Sequence, residues 1–231
     1  IKNHSPRACS RYCAIIIENV KVDKSPAWLI KKLHSIGQKS INNVVDIANY
    51  ILNDIGHPLH TFDLDLLQGK EINIRYAKSN EKIMGLDNVN YKLNNSDLVI
   101  ADANLPVAIA GIIGGLNSHV SHNTKNIIIE SAYFDPETIR RTSKRLGIST
   151  DASRRFERDT DFEILIYAMN KAAMLIKEVC KGDVSKDFID IKLLPKKKTK
   201  ISFNMNNCND FLGTNISKNE FGSIFKKLSI D

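Results

Sequence analysis

The sequence predicts an α+β (mixed α/β) fold, with one large module at residues 1–194 and the start of a small second α/β domain at 195–231. Three observations support this prediction. Short apolar, β-branched segments are interspersed with segments whose apolar residues recur at helical spacing. The chain has 231 residues, 42% of them hydrophobic, which is enough to bury a sizeable core. The composition changes at the proline and lysines of 195–198, which are typical of a linker.

The first strand is predicted at residues 11–20, which are apolar and rich in β-branched side chains. Two helices follow, each with a polar capping residue before its apolar stripe and a glycine after it. Their start and stop signals are Ser25-Pro26 and Gly37 for the first helix, and Asn42 or Asn43 and Gly56 for the second.

The middle of the module is predicted to hold short strands separated by Asn/Asp/Gly turns, and then two helices. The strand candidates are Ile72–Tyr76, Leu98–Ala101, Val107–Ile112 and Ile127–Glu130. The helix candidates run from the Asp135 cap to Arg145 or Leu146, before Gly147, and from about 161 to 181.

Residues 196–231 hold seven lysines and three acidic residues, more than half of the net charge of +7. This basic tail fits either nucleic-acid binding or a solvated linker, and the charge pattern favours the linker. The elements predicted here are a strand at Ile201–Met205 and helices at Asn207–Leu212 and Ser217–Leu228. So short a segment cannot bury its own core, which predicts a second domain cut short.

Several classes of protein are excluded or disfavoured by pattern. No apolar run approaches the ~18–20 residues that span a bilayer, and no secretory signal opens the chain. The four cysteines form no C-x-x-C pair, so we expect free thiols in a reducing cytoplasm. The histidine pairs His57/His60 and His119/His122 lack the H-E-x-x-H signature, so no metal site is predicted.

Four loop-like segments contain candidate functional residues. They are 56–63, with His60; the glycine-rich 110–115, which lacks nucleotide-binding spacings; 130–132, where Glu130 ends an apolar run; and 150–158, which opens with Thr150. Each has a structural alternative. His60 fits a structural hydrogen-bonding role, Gly114-Gly115 fits a turn, Glu130 fits a rim carboxylate paired with an arginine, and Thr150 and Asp151 fit helix caps.

Seven short motifs occur in a fixed order along the chain: 9–12 (CSRY), 25–29 (SPAWL), 41–50 (INNVVDIANY), 58–63 (PLHTFD), 110–115 (AGIIGG), 130–132 (ESA) and 150–158 (TDASRRFER). Together they resemble the bacterial-type phenylalanine–tRNA ligase beta subunit, in its central editing module. The resemblance covers about residues 9–175, and 209–217 (NDFLGTNIS) resembles the opening of the next domain of that subunit.

The resemblance implies an aminoacyl-tRNA ligase subunit with aminoacyl-ester hydrolase activity in this module. It implies that an alpha subunit activates phenylalanine with ATP and Mg²⁺, while this module hydrolyses tyrosine wrongly attached to tRNA(Phe). The expected partners are the alpha subunit, in a cytoplasmic (αβ)2 heterotetramer, and tRNA(Phe), without membrane or DNA. No cofactor is expected in this fragment, because ATP and Mg²⁺ belong to the whole ligase.

The resemblance also implies a set of site residues. His60 is expected beside the ester, where it helps to place the attacking water or the tRNA end. Glu130 is expected to accept a hydrogen bond from the tyrosine hydroxyl. The full catalytic set is His60, Glu130 and Thr150, and the substrate-binding set is Gly114, Gly115, Ala152 and Asn49.

These roles suit the chemistry, because tyrosine and phenylalanine differ by one hydroxyl group. A pocket that must hydrogen-bond that hydroxyl rejects the analogue that lacks it, by as much as ~10⁴–10⁵-fold. Backbone N–H groups near Gly114-Gly115 are candidates to stabilise the oxyanion. No activated side-chain nucleophile is evident, so a positioned water, held partly by the tRNA ribose, is the predicted attacking group.

Four positions depart from the family pattern, which usually has Thr at Ala48, Gly at Asp159, Arg near Ile15 and Pro at Ser10. Ala48 removes a hydroxyl group from the pocket region, and Ile15 removes a charge. One alternative is therefore a tRNA-binding and assembly module of the same subunit without editing activity. A second is a free-standing aminoacyl-tRNA deacylase, which the abrupt end of the predicted second domain disfavours.

Overall fold

The computed structural model describes residues 1–194 and 200–230, and the chain divides into two compact units, Ile1–Pro195 and Lys196–Asp231. The predicted linker at 195–198 lies outside the described residues. The assignment of the second unit to the next domain of the subunit stays a prediction.

The first unit mixes strands and helices along the chain, as an α+β fold does. Its strands are β1 (Lys2–Asn3), β2 (Cys9–Glu18), β3 (Leu59–Asp63), β4 (Asn73–Tyr76), β5 (Lys82–Met84), β6 (Asn90–Lys92), β7 (Leu98–Ala101), β8 (Pro106–Ile109), β9 (Ile113–Gly114), β10 (Ile127–Phe134), β11 (Asp183–Val184) and β12 (Ile189–Lys192). Its helices are α1 (Ala27–His34), α2 (Asn43–Ile55), α3 (Pro136–Leu146), α4 (Asp151–Phe156) and α5 (Leu165–Cys180).

Two sheets organise this unit. The first, which we call the outer sheet, has the order β1-β4-β7-β8-β9. The second, the central sheet, has the order β11-β2-β10-β3, with β12 also paired to β2. Strands β5 and β6 form a separate hairpin. Apart from the parallel pair β1–β4, the neighbours in both sheets run antiparallel.

The central sheet is buried on both faces, and each face belongs to a different core. Because side chains alternate along a strand, Ile127 and Ile129 of β10 pack with α2 and α5. Ile128 and Ala132 of β10 pack instead with the outer sheet. Glu130 lies between them in the alternation, so its side chain shares the face that the outer sheet covers.

The capping residues and glycines in the sequence predicted most of the helix ends correctly. The second predicted helix is confirmed as α2, where the Asn42 side chain accepts from Val45 N and Gly56 adopts a left-handed φ of 85°. The first helix also forms, but Ser25 as its N-cap is wrong. Pro26 holds that position without a side-chain hydrogen bond, and Ser25 Oγ donates instead to the buried carboxylate of Asp46 at 2.6 Å.

The strand predictions differ in their outcome. Leu98–Ala101 is confirmed as β7, and Ile127–Glu130 is the first half of the longer β10. Val107–Ile112 is divided, because the chain leaves β8 at Ile109 and turns through Gly111, with φ 67°, into β9. The long helix, predicted from about 161, begins at Leu165.

The second unit contains α6 (Met205–Leu212) and α7 (Lys218–Lys227), which correspond to the two predicted helices. The predicted strand at Ile201–Met205 is wrong, because Asn204 caps α6 and Met205 is already helical. Ser217 opens α7 with a capping box to Glu220. Among the described residues, none of the helices is long and apolar enough to cross a membrane.

Candidate functional site

Two of the four predicted polar residues of the site, Glu130 and His60, come together on adjacent strands of the central sheet. Glu130 of β10 lies directly opposite His60 of β3 in the antiparallel register. Directly opposed residues project from the same face of a sheet, so both side chains point towards the outer sheet. The prediction that the segment with His60 is a loop is wrong, since Leu59–Asp63 pairs fully with β10.

Two neighbouring cavities surround this pair, and they share His60, Gly114 and Ala152 in their lining. The smaller cavity has a volume of about 60 Å³ and contains Glu130 in its wall. The larger one has a volume of about 240 Å³, and its wall includes Asn49 and Thr150. Most of the remaining lining is apolar: Pro58, Leu59, Ile112 and Ile113 line both cavities. Six of the seven predicted site residues therefore border one continuous region.

Gly114 is required by the close approach of His60. A methyl group on Gly114 would lie 2.8 Å from His60 Nε2 and 3.1 Å from Leu86 Cδ1. Real Cβ atoms do not approach a ring that closely, so any larger residue would have to displace the imidazole. This explains why glycine occurs beside the histidine, which the simple turn interpretation of Gly114 does not.

Glu130 is a buried carboxylate rather than one at the rim of the sheet. Its side chain is 6% exposed, and Oε2 accepts a hydrogen bond of 2.7 Å from the Tyr12 hydroxyl. Burial raises the pKa of Glu130 to about 7, against a smaller lowering by the Tyr12 hydrogen bond. The alternative of a rim carboxylate paired with an arginine is therefore wrong.

His60 is neutral at physiological pH. Burial lowers the pKa of its imidazole to about 4, because a charged ring would lose its hydration. Its ring packs edge-on against Phe62, with 4.4 Å between the ring centroids. A neutral imidazole can accept one hydrogen bond and donate another, which suits it to orient a water molecule.

Thr150 has a structural role in addition to its place beside the larger cavity. It is the N-cap of α4, and its side chain accepts from Ser153 N in a capping box. The same hydroxyl donates to Ile112 O at 2.8 Å. The cap interpretation is thus confirmed. The Thr150 hydroxyl also ties α4, which carries Ala152, to the wall of the cavity.

Gly115 differs from the other predicted residues, because its surroundings are the outer sheet and the hairpin. Its N–H donates to Val107 O at 2.8 Å, and it bridges to Gly85 of the hairpin segment. That donor is used within the protein, so the Gly115 N–H is not free to stabilise an oxyanion. The expectation that backbone N–H groups near Gly114-Gly115 do so stays a prediction for the other donors.

The family departures fall in different places relative to the cavities. Ala48 lies on α2 in the wall of the larger cavity, as expected. Ile15 packs in the helix-covered core on the opposite face of the central sheet, so its lost charge does not bear on the site. Asp159 adopts a left-handed φ of 73°, a conformation that favours glycine, and accepts from the Tyr133 hydroxyl at 2.8 Å.

The sequence reasoning missed Tyr12, whose side chain is fully buried against Glu130. Its signal was weak: a phenol within an apolar strand needs a hydrogen-bond partner, and only the pairing of β2 with β10 shows which one. In the part of the chain that the structure describes, no three His, Cys, Asp or Glu side chains are grouped to hold a metal ion.

Comparison with known proteins agrees with the fold and the motifs. Residues 8–181 match the B3/4 domain family. The phenylalanine–tRNA ligase beta subunit of Protochlamydia amoebophila is 48% identical over 221 residues, which is 96% of this chain and 28% of that protein. The corresponding subunit of Geobacter metallireducens is 46% identical over 95% of this chain and 28% of its own length.

A solved structure shows the same fold at greater distance. It is an N-terminal fragment of the phenylalanyl-tRNA synthetase beta subunit from Pyrococcus horikoshii, with a TM-score of 0.52 and 13% identity over 98% of this chain and 62% of that one. The chain spans little more than a quarter of the curated relatives it matches. It belongs to the phenylalanine–tRNA ligase beta subunit family, in which it spans the B3/4 domain region.

Proposed function

We propose that this chain is an editing module that hydrolyses the ester between tyrosine and tRNA(Phe) and spares the phenylalanyl ester. The observation that carries the proposal is a buried carboxylate, Glu130, in the wall of an otherwise largely apolar cavity. A tyrosine ring would be held by apolar contacts such as those of Ala152 and Phe156. Its hydroxyl would then be the group that Glu130 recognises.

The discrimination follows from the cost of burying polar groups without partners. A tyrosine hydroxyl that enters the cavity loses its hydrogen bond to water, and a hydrogen bond to Glu130 compensates for that loss. A phenylalanine ring in the same place offers no donor, so the carboxylate keeps its hydrogen bond from Tyr12 but its other oxygen receives none. The free-energy cost of that missing hydrogen bond corresponds to a several-fold to several-hundred-fold preference for the tyrosyl ester over the phenylalanyl ester. An editing site needs this direction of preference.

The hydrolytic step is proposed to use a water molecule rather than a covalent intermediate. Cys9, a buried thiol in the core on the same side of the central sheet, has its pKa raised well above the ordinary value by burial, so it is not a thiolate at neutral pH. Neutral His60 can hydrogen-bond the attacking water without the penalty of a buried cation. The ribose hydroxyl at the end of the tRNA is proposed to complete the water's surroundings.

In the proposed (αβ)2 ligase, other parts of the enzyme charge the tRNA and deliver it to this module. An alpha subunit, ATP and Mg²⁺ would supply the charged tRNA(Phe), and the cytoplasmic (αβ)2 ligase would bring its 3′ end to this module. The family membership supports these partners, because the matched relatives are beta subunits of that ligase.

The experiment is deacylation of Tyr-tRNA(Phe) and Phe-tRNA(Phe) by the complete beta subunit assembled with its alpha partner. We expect the parent to hydrolyse the tyrosyl ester at least about 100-fold faster, and Glu130→Gln to lose most of that ratio. The control is Glu18→Gln, an exposed glutamate at the end of β2, which should behave as the parent does. An unchanged ratio in Glu130→Gln would refute the role of the carboxylate.

A second candidate function is a tRNA-binding and assembly module without editing activity. The observation that favours it is the position of Ala48 in the wall of the larger cavity, where a hydroxyl group is missing. Hydrolysis of neither ester above background would support this candidate. Restored hydrolysis in Ala48→Thr would then identify the missing hydroxyl as the cause.

A further inference from the structure

Tyr12 lies beside Glu130 in the interior of the central sheet. Its side chain has no solvent exposure, and its hydroxyl donates to Glu130 Oε2 at 2.7 Å. Tyr12 pairs with Ala132 in the register of β2 and β10, and Glu130 pairs with Ala14, so the two side chains are diagonal neighbours on one face. Long side chains make contact at such diagonal positions.

This contact leaves the carboxylate with two unequal oxygens. Oε2 accepts from the phenol of Tyr12, while Oε1 has no hydrogen-bond partner among the described residues and is left for a ligand in the cavity that Glu130 lines. Because the Tyr12 ring is enclosed by the core, its hydroxyl cannot swing away without disturbing β2. The Tyr12 hydroxyl therefore fixes the Glu130 side chain from within the core, where a ligand in the cavity cannot displace it.

We propose that Tyr12 is the positioning residue of this site: it orients Glu130 so that a single oxygen, Oε1, reads the phenol of a tyrosyl ester. This inference rests on the proposed function and deepens it. Tyr12 does not touch the substrate, and it acts through the hydrogen bond to Glu130.

The surroundings of Glu130 make this hydrogen bond the main polar influence on its charge. The titratable groups that face it are Tyr12 and Cys9 from β2 and His60 from β3, and all three are neutral near pH 7. Within the described ranges, β8, β9 and α4 contribute apolar side chains and glycine to the cavity: Ala108, Ile109, Ile113, Gly114, Ala152 and Phe156. Loss of the Tyr12 hydroxyl should thus raise the pKa of Glu130 further, because that hydrogen bond lowers it.

The first test is an NMR titration of the Glu130 carboxyl carbon in the 231-residue chain. We expect Tyr12→Phe to move the titration midpoint upward by about one pH unit, the equivalent of one hydrogen bond to a charged group. The control, Tyr50→Phe, removes a hydroxyl that donates to Asp54 at the surface and should leave the midpoint unchanged. Should Tyr12→Phe fail to fold, 3-fluorotyrosine at position 12 keeps the ring, donates more strongly and should move the midpoint downward.

The second test is deacylation by the assembled ligase. At pH 7 we expect Tyr12→Phe to lose about tenfold of the preference for the tyrosyl ester, and to recover much of it at a pH above the new midpoint. A merely structural defect would not recover with pH. An unshifted midpoint in both Tyr12 variants would overturn the proposal, whatever the deacylation result. A shifted midpoint in a ligase that hydrolyses neither ester would support the positioning of Glu130 and remove the proposed function.

Discussion

The two faces of the central sheet are built from the same strands but differ in what they bury. Towards α2 and α5, β10 presents Ile127 and Ile129, both without solvent exposure. Towards the outer sheet it presents Ile128, Glu130 and Ala132, and the neighbouring strands add Tyr12 and His60. Around Ile127 and Ile129 the helix-covered face is aliphatic, apart from the buried Ser131 hydroxyl that donates to Leu165 O, whereas the other face contains a carboxylate, a phenol and an imidazole.

The difference shows how one strand can stabilise the fold and carry a site at the same time. Because adjacent residues of a strand point to opposite faces, neighbouring residues of β10 can serve different purposes. Those on the helix-covered face stabilise the fold, and those on the other face form the site at a cost in folding free energy. That cost is the burial of an ionisable group, which shifts the pKa of Glu130 upward and that of His60 downward. Four substitutions distinguish the two faces by their effects on stability and on the site.

Ile129→Ala should break the helix-covered face. We expect the free energy of unfolding to fall by about 4 kcal/mol, because a fully buried side chain is replaced by a cavity. Urea denaturation at pH 7 and 25 °C measures it. Ile41→Ala is the control, since its side chain is 67% exposed and should cost no more than about 0.5 kcal/mol. Equal losses for the two variants would contradict the burial of Ile129 in a tightly packed core on this face.

Glu130→Gln should remove a pH dependence of the unfolding free energy that comes from the buried carboxyl group on the other face. The folded carboxyl titrates near 7 and its ordinary value is 4.5, so between these values the native state holds the extra proton. Stability of the parent therefore falls as pH rises through this window. We expect the variant to match the parent at pH 4 and to exceed it by about 3 kcal/mol at pH 8. Parallel stability curves, measured by denaturation from pH 4 to 8, would show that Glu130 is not the group responsible.

Gly114→Ala should disturb the site through His60. The added methyl group conflicts with the imidazole, so we expect a loss of about 2 kcal/mol in the free energy of unfolding and a displaced histidine. Thermal unfolding and the His60 ring resonances report the two effects. Gly222→Ala, in α7 with open space around its Cβ position, should cause no loss. An unchanged His60 resonance would mean that the ring is not held against Gly114.

Thr150→Ala should have the smallest effect, because it removes one cap and one hydrogen bond at the mouth of the cavity. We expect a loss of about 1 kcal/mol in unfolding free energy, as is typical of an N-cap. Thr150→Ser keeps the hydroxyl and should recover most of it. A loss that serine does not recover would point to the methyl group rather than to the cap.

The elements with local signals were predicted well from the sequence. Gly56 and Gly147 end α2 and α3 in the left-handed conformation, and Asp135 caps α3, as their spacing indicated. These signals depend on residues within one helical turn. Ser25 shows their limit, because a buried carboxylate from another helix, Asp46, bound the hydroxyl that was expected to cap its own helix.

The site was predicted in composition but not in geometry. The motifs named His60, Glu130 and Gly114, while the contact between Tyr12 and Glu130 joins residues 118 positions apart and needs the register of β2 on β10. The apolar run at 14–17 shows no polar alternation, so the sequence could not assign Ile15 to the helix-covered face. Strand β3 was missed because histidine and proline in a short segment are more typical of a loop.

The strands after α5 have a consequence for how this module can be cut from a longer polypeptide. The family match ends at residue 181, but β11 and β12 pair with β2 beyond that point, and Arg11 binds Asp190 through two hydrogen bonds of 3.0 Å. A fragment that stopped at 181 would leave the main-chain N–H and C=O groups along one edge of β2 without partners. Such an edge is a template for aggregation, so the smallest well-behaved fragment should extend at least through Lys192.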